Sequence, residues 1–341
     1  MCMTMPKNTH TPTLLTGLRP TGTLHIGNYF GALKQVVDLE RTYKPFVMVA
    51  DLHALTTTDD TTSLAERTIA TAAMYVAFGL NPKRSTLFVQ SHIPEHSEVS
   101  IMLAMITPLS LVELNPVYKE MLAEHPDKRT LGLLTYPVLQ AADILLYQTD
   151  AVPVGRDQAP HIELTRDITR RFNSRFGTTL KEPKTLLSEA EKIFSLSDPT
   201  KKMSKSHGEK HYIGLLDSPE DIKKKVASAV TDSQSTIQFN PETRPGISNL
   251  IRIMQLITGS EIASIERRYT GKGYREFKED FADTVIKFLA PGQKKYADLM
   301  KSKTVMRRIL ADGDQRAHAT ATHTTAIMRA HMGLLPPFTK R

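Results

Sequence analysis

The sequence predicts a doubly wound α/β domain followed by an all-helical one, and three observations predict it. Short β-rich runs alternate with helical ones up to about residue 172, the pattern of a parallel sheet with crossover helices. After about residue 210 the β-rich runs stop and only helical spacing continues. The charge divides at the same place. Residues 1–200 carry 19 Lys and Arg against 21 Asp and Glu, a net of −2, whereas residues 201–341 carry 25 against 15, a net of +10. The predicted domains are therefore 1–208, containing the sheet, and 209–341, all helical.

The elements follow in order. Residues 13–16 read as a first strand, followed by a turn through Arg19-Pro20-Thr21-Gly22 and a helix from about 25 to 40. Residues 46–50 form a continuous apolar run, as in a strand buried on both faces. Ser63 is placed to cap a helix running toward Gly79, with Glu66 completing a capping box. Residues 87–90 are a third strand and 95–106 a helix; 109–129 reads as irregular and polar at its end. Residues 136–147 are helical, 151–155 a strand and 159–172 a helix. Ser218-Pro219-Glu220-Asp221 is a strong helix start, with a cap, a proline in the first turn and early acids. Helical spacing then covers 246–258, 260–269, 274–288, 294–311 and 314–332.

With 40% hydrophobic and 23% charged residues, the 341-residue chain has the composition of a globular protein, which excludes a fibrous repeat and an extended disordered chain. The overall +8 points mildly to a polyanionic partner. A single cysteine, Cys2, excludes a disulfide framework and a multi-thiolate zinc site. There is no tryptophan. The N-terminus lacks the apolar core of a secretory signal, and no apolar run approaches the roughly 20 residues that span a bilayer. The expectation is a cytoplasmic protein without membrane association, its first dozen residues mobile.

Two segments carry chemistry. Pro20-Thr21-Gly22-Thr23-Leu24-His25-Ile26-Gly27-Asn28 lies between the first strand and its helix, where a doubly wound sheet binds nucleotide. A helix N-terminus there offers free N–H groups and a positive dipole end to phosphates. Gly22 lets the turn close and Gly27 lets a flat adenine approach the helix backbone. His25 and Asn28, three apart on one face, are placed to donate to one phosphate group. A lone histidine at a helix start is more often a cap. The second segment, Lys201-Lys202-Met203-Ser204-Lys205-Ser206, follows Asp198-Pro199 on a loop between the two predicted domains. Small and basic residues on such a loop suit a clamp on developing negative charge at a triphosphate, although an isolated basic run is usually solvated surface.

Lys202-Met203-Ser204-Lys205-Ser206, placed after a half that opens with His25-Ile26-Gly27-Asn28, resembles the signature pair of the class I aminoacyl-tRNA synthetases. Further segments are similar to the tryptophanyl members of that class. They include Leu133-Leu134-Thr135-Tyr136-Pro137, Ala141-Ala142-Asp143-Ile144-Leu145-Leu146-Tyr147, Val152-Pro153-Val154-Gly155, Asp157-Gln158, Thr231-Asp232-Ser233 and Arg244-Pro245-Gly246-Ile247-Ser248-Asn249. The resemblance covers roughly residues 13–290. Tyrosyl enzymes share the architecture and both signatures, but not the Asp143 helix or the Arg244 segment.

The resemblance implies a Rossmann-like catalytic domain that activates L-tryptophan with ATP and Mg2+ and transfers it to the 3′ end of tRNA(Trp). It implies no protein-ligated metal. His25, Asn28, Lys202 and Lys205 are the implied catalytic groups. Around ATP it places Arg19, Pro20, Thr21, Gly27, Asn28, Gly155, Arg156, Asp157 and Ile193, with Lys202, Met203, Ser204, Lys205 and Ser206; Asp157 takes the ribose hydroxyls. Around tryptophan it places Asp143, Gln158, Tyr136 and His53. Asp143 is expected to face an otherwise apolar pocket and to need the indole N–H as its donor. Arg19, Arg156 and Gln140 depart from the family pattern, and Lys119 and Lys128 are the candidates for a pyrophosphate contact. A homodimer is implied by resemblance. The basic residues 209–341 are the candidate tRNA-binding region, with Lys223-Lys224-Lys225, Arg267-Arg268, Lys294-Lys295 and Arg307-Arg308 as a possible phosphate track. The competing readings are tyrosine specificity, a non-catalytic RNA-binding relative and a small-molecule nucleotidyltransferase.

Overall fold

A computed structural model describes residues 11–20, 22–56, 61–124, 129–155, 158–187 and 193–336. Residues 1–10, Cys2 among them, lie outside the described residues, and with them most of the first dozen for which mobility is expected.

Five strands form one parallel sheet in the order β3-β2-β1-β4-β5. They are β1 (Thr13–Leu18), β2 (Lys44–Val49), β3 (Thr86–Val89), β4 (Ala151–Val154) and β5 (Lys184–Leu187). Between β1 and β2, α1 (Ile26–Asn28), a π-helical turn (Tyr29–Leu33) and α2 (Lys34–Leu39) run on as one rod. Next come α3 (Asp51–Ala54) and α4 (Leu64–Ala77), then α5 (Glu95–Ala104), α6 (Leu109–Glu113), α7 (Pro116–Glu124) and α8 (Leu131–Leu146). Helix α9 (Ala159–Phe176) joins β4 to β5. Beyond the sheet lie α10 (Pro219–Ala227), α11 (Pro245–Thr258), α12 (Ile262–Arg268), α13 (Tyr274–Lys301) and α14 (Lys303–His331).

Each face of the sheet is covered. Val47, Val49, Leu87 and Val89 join α4 on one side, and that apolar cluster continues through Met203 and Ile213 into Ile222, Ile247, Phe277 and Leu289. Leu15, Phe46, Met48 and Phe88 pack on the other side against α5, α8 and α9, where Ala317, Ala321 and Met328 of α14 also lie. Helix α14 therefore returns to the sheet and lies along β3.

Several elements differ from the sequence reading. The segment expected to be irregular contains α6 and α7, too short for an apolar period to show and held by packing against α8. Strand β5 was not anticipated; it is an edge strand of four residues with half-exposed side chains, so it lacks a buried apolar run. Ser63 makes no capping hydrogen bond to the backbone of α4, and its hydroxyl instead accepts from Arg67 at 2.5 Å. Helix α8 begins at Leu131 rather than 136 because Thr130 caps it, accepting from Leu133 N at 3.1 Å, and Pro137 is interior.

The breaks expected near 288–294 and 311–314 are absent, and the chain breaks once, at Ser302. Gly292 and Gly313 are contact residues rather than terminators. A Cβ on Gly313 would stand 1.7 Å from the Leu87 carbonyl oxygen, and one on Gly292 would stand 2.5 Å from the Phe78 ring. Their missing side chains let α14 touch β3 and α13 touch the end of α4.

Candidate active site

Strand β1 lies between β2 and β4, so the crevice at its carboxyl end is the switch point of the sheet. The turn leaving β1 passes through Gly22 at φ +95°, which only glycine adopts without strain. His25 then caps α1. Its Nδ1 accepts from Asn28 N at 3.2 Å while Asn28 Oδ1 accepts from His25 N at 3.1 Å. The two side chains expected to act in parallel on a phosphate are thus first bonded to each other's backbone. Gly27 has a nearer purpose than adenine approach, because a Cβ there would stand 2.9 Å from His25 Nδ1.

Burial, then Lys205 and Lys202, push the His25 pKa down to about 4. The ring is therefore neutral at physiological pH. Since Nδ1 accepts from Asn28 N, the ring proton resides on Nε2, which becomes a donor. The Asn28 Nδ2 amide is likewise left over from the capping pair, so two neutral donors remain at one helix N-terminus.

The basic loop reaches this place through an apolar anchor. Met203 is 2% exposed and its N donates to the Ile193 carbonyl at 3.0 Å. Lys202 bridges Phe194 in antiparallel fashion, and Asn249 holds Phe194 on both sides, accepting from its N and donating to its O, each at 2.9 Å. Ser204 caps the turn that follows, its hydroxyl accepting from Ser206 N at 3.4 Å. Lys205 is half-buried, its pKa lowered by that burial, and its Nζ lies 3.7 Å from where a Cβ on Gly22 would stand. Gly22, His25, Asn28, Lys202 and Lys205 are thereby brought together. The segment 212–217 straps the arrangement: Ile26 N donates to Ile213 O at 2.9 Å and Leu215 N to Leu24 O at 2.8 Å.

Asp143 is 1% exposed but does not face an apolar pocket. His53 Nε2 reaches its Oδ2 at 2.8 Å, His96 Nδ1 reaches its Oδ1 at 2.6 Å, and Gln90 Nε2 reaches both oxygens at 2.9 and 3.0 Å. Burial pushes this carboxyl up. The hydrogen bonds from His53 and His96 outweigh burial and hold it well below the usual carboxylate range. The expectation of a lone charge awaiting a donor is corrected accordingly, because the fold itself supplies three. Gln90 and His96 were missed by sequence reasoning. The available signal was position: Gln90 follows β3 and His96 sits in the first turn of α5, at the same sheet edge as His53.

Tyr136 lies one wall further on, its hydroxyl 3.2 Å from His161 Nε2 and its ring edge-on to His53 at 6.3 Å between centroids. Gln158, half-buried, precedes α9, and its N donates to Gly155 O at 3.1 Å. Gln140 is half-buried one turn before Asp143, and Ile193 is 2% exposed. Arg19 and Pro20 follow β1 directly. Lys119 is exposed on α7. Thr21, Lys128, Arg156 and Asp157 lie outside the described residues. Among the described residues no group of three or more His, Cys, Asp or Glu is arranged to hold a metal, and no helix is long and apolar enough to cross a membrane.

Away from the sheet, a cavity of about 860 Å3 opens between the 234–244 segment and α12, lined in part by Gln238, Arg244, Arg267 and Lys272. Arg244 is committed to structure, donating to both Asp232 oxygens at 2.8 and 3.1 Å. Lys225 is similarly engaged with Asp217 at 2.6 Å, and Lys223 pairs with Asp283 at 3.5 Å; Lys223, Lys224, Lys294, Lys295, Arg307 and Arg308 are exposed.

Residues 7–290 match the family model of class I tRNA synthetases (W and Y). The chain is 44% identical over 329 residues to tryptophan--tRNA ligase 2 of Streptomyces avermitilis, covering 95% of this chain and 98% of that protein. It is 41% identical over 324 residues to the tryptophan--tRNA ligase of Bacillus subtilis, covering 94% and 98%. Among solved structures, the tryptophanyl-tRNA synthetase of Campylobacter jejuni complexed with ADP and tryptophan superposes with a TM-score of 0.85 at 33% identity, covering 94% of this chain and 100% of that one.

Proposed function

The chain belongs to the class I tRNA synthetases of the tryptophan and tyrosine group, and we infer from it that the protein activates L-tryptophan with ATP and transfers it to tRNA(Trp). The observation that carries the reading is the Asp143 carboxylate, buried, ionised and held by residues that follow β2 and β3 at the carboxyl end of the sheet. An indole N–H is only a donor, and an ionised carboxylate only an acceptor. Gln158 is assigned to the substrate's own polar atoms, and Tyr136 and His53 to the walls of its pocket.

The tryptophan carboxylate attacks the α-phosphorus, the bond to the β-bridging oxygen breaks and pyrophosphate leaves. The nucleophile is already an anion, so no general base is needed. Catalysis rests on positioning and charge stabilisation. His25 and Asn28 donate as neutral groups; Lys202 and Lys205 supply charge. Asp157 is assigned to the ribose hydroxyls and Arg19 and Arg156 to the phosphates. Magnesium arrives with ATP as part of the substrate, held by phosphate oxygens. A terminal ribose hydroxyl of tRNA then displaces AMP from the activated carbonyl.

Residues 209–341 are assigned to tRNA, on their net charge and the exposed cations of α10, α13 and α14. Ile101, Met105, Leu109, Leu114 and Leu131 are exposed large apolar side chains on the adjoining elements from α5 to α8, which suits a second copy of the chain.

ATP–pyrophosphate exchange measured with each amino acid in turn tests the reading. Tryptophan alone is expected to stimulate exchange; stimulation by tyrosine, or by none, would overturn it. A second expectation concerns the base of the site. The His25 imidazole, followed by NMR, is expected to titrate near pH 4, and a midpoint near 6.5 would show that the two lysines and burial do not act on it as the geometry requires.

A further inference from the structure

Three donors hold the Asp143 carboxylate, and they are not equivalent. The His53 side chain is 11% exposed, whereas Gln90 and His96 are fully buried. Asp143 itself is 1% exposed, so the side of its carboxylate nearest solvent is the one His53 covers at Oδ2, while Gln90, which bonds both oxygens, and His96 on Oδ1 lie deeper. Gln90 is oriented by its own neighbour, since its Oε1 accepts from His53 N at 3.4 Å and leaves the amide N–H groups for Asp143.

His96 is fixed on every side. Its ring stacks on Phe88 at 5.9 Å between centroids, and its Nε2 lies 2.9 Å from the Tyr147 hydroxyl. Burial pushes the Tyr147 pKa up, so the hydroxyl keeps its proton and offers it to Nε2, which places the His96 ring proton on Nδ1, facing Asp143. Tyr147 in turn is stacked on Phe46 at 4.4 Å and packed on Phe88 at 5.3 Å. The backbone carrying His96 is gripped from outside by α14. Asp314 accepts from Val89 N at 3.1 Å and lies 2.7 Å from His92 Nδ1, and Glu95 accepts from Thr322 Oγ1 at 2.6 Å.

We propose that His96, with its tautomer set by Tyr147, is a positioning residue for tryptophan selection: it does not touch the substrate, but it aims the Asp143 carboxylate so that Oδ2 can take the indole N–H. The proposal rests on the tryptophan reading above. It differs from a packing role in one measurable respect. A residue that aims an acceptor matters only to a substrate that has the donor.

The test compares kcat/KM in pyrophosphate exchange for tryptophan and for β-(benzothiophen-3-yl)alanine, in which sulfur replaces the indole N–H. His96→Phe keeps the ring volume and the Phe88 contact but loses both hydrogen bonds. Its preference for tryptophan over the analogue is expected to fall about tenfold, the size of one hydrogen bond to a charged group, with the analogue itself nearly unchanged. His96→Asn, whose amide nitrogen stands where Nδ1 does, is expected to recover the preference to within about threefold. A proportional loss of both substrates in His96→Phe would overturn the proposal. Should His96→Phe not fold, Tyr147→Phe carries the test, because it removes only a hydroxyl. Its preference is expected to drop about threefold, and an unchanged preference would overturn the proposal. Failure of the underlying reading shows separately, as an unmodified protein with no preference for tryptophan over the analogue.

Discussion

Lys205→Ala is expected to slow tryptophan-dependent ATP–pyrophosphate exchange by about a thousandfold while leaving tryptophan affinity within about twofold. The asymmetry follows from where the ammonium stands. Lys205 is half-buried beside the Gly22 turn, on a loop fixed by the buried Met203 and by the Phe194–Asn249 pair, and with Lys202 it bears on His25. None of the groups bonded to Asp143 belongs to that loop. The charge that grows at the α-phosphorus and on the departing pyrophosphate is absent from bound tryptophan, so a group acting on that charge appears in kcat rather than in tryptophan binding. Partial burial strengthens the contribution, because less water screens the pair. Lys202, which is exposed, is expected to matter less. The chain contains no tryptophan, so the change in emission of the amino acid on binding is not overlaid by indoles of the protein itself. An exchange rate within tenfold of the unmodified protein would remove Lys205 from the transition state.

What the sequence made legible was set by how local each signal is. The turn through Gly22, the helix start at Ser218 and the apolar strands at Phe46 and Leu87 are written in neighbouring residues, and the structure carries all of them. The break expected at 311–314 is absent for a reason 226 residues away, since Gly313 is small to admit the Leu87 carbonyl. Strand β5 and helices α6 and α7 exist through packing, which no short window records. The candidate site divides in the same way. His25, Asn28, Lys202 and Lys205 were nameable from two contiguous motifs, and Asp143 from its helix. The capping pair that makes His25 a neutral Nε2 donor, and the Gln90 and His96 donors behind Asp143, depend on distances across the fold.

Asp143→Asn is the change expected to damage both stability and selection, and pH separates the two. The carboxylate accepts from His53, Gln90 and His96. An amide of the same shape turns an N–H2 toward at least one of these donors, and a buried donor facing a donor loses its partner without regaining water. A stability loss of about 3 kcal/mol is expected at neutral pH. Tryptophan kcat/KM is expected to fall about a thousandfold, and that of the benzothienyl analogue by much less. The acid dependence follows from the direction of the shift. In the fold the Asp143 carboxyl titrates below its ordinary 3.8. Its contribution is therefore complete above that value and is lost as pH falls toward the folded-state value, because the unfolded chain takes up the proton first. The stability gap between the unmodified protein and Asp143→Asn is expected to narrow as pH falls below about 4. Urea unfolding from neutral pH downward measures it. A gap that stayed constant down to pH 3 would mean that the carboxylate is not held ionised by its three donors, and with it would go the argument that Asp143 selects tryptophan as an acceptor.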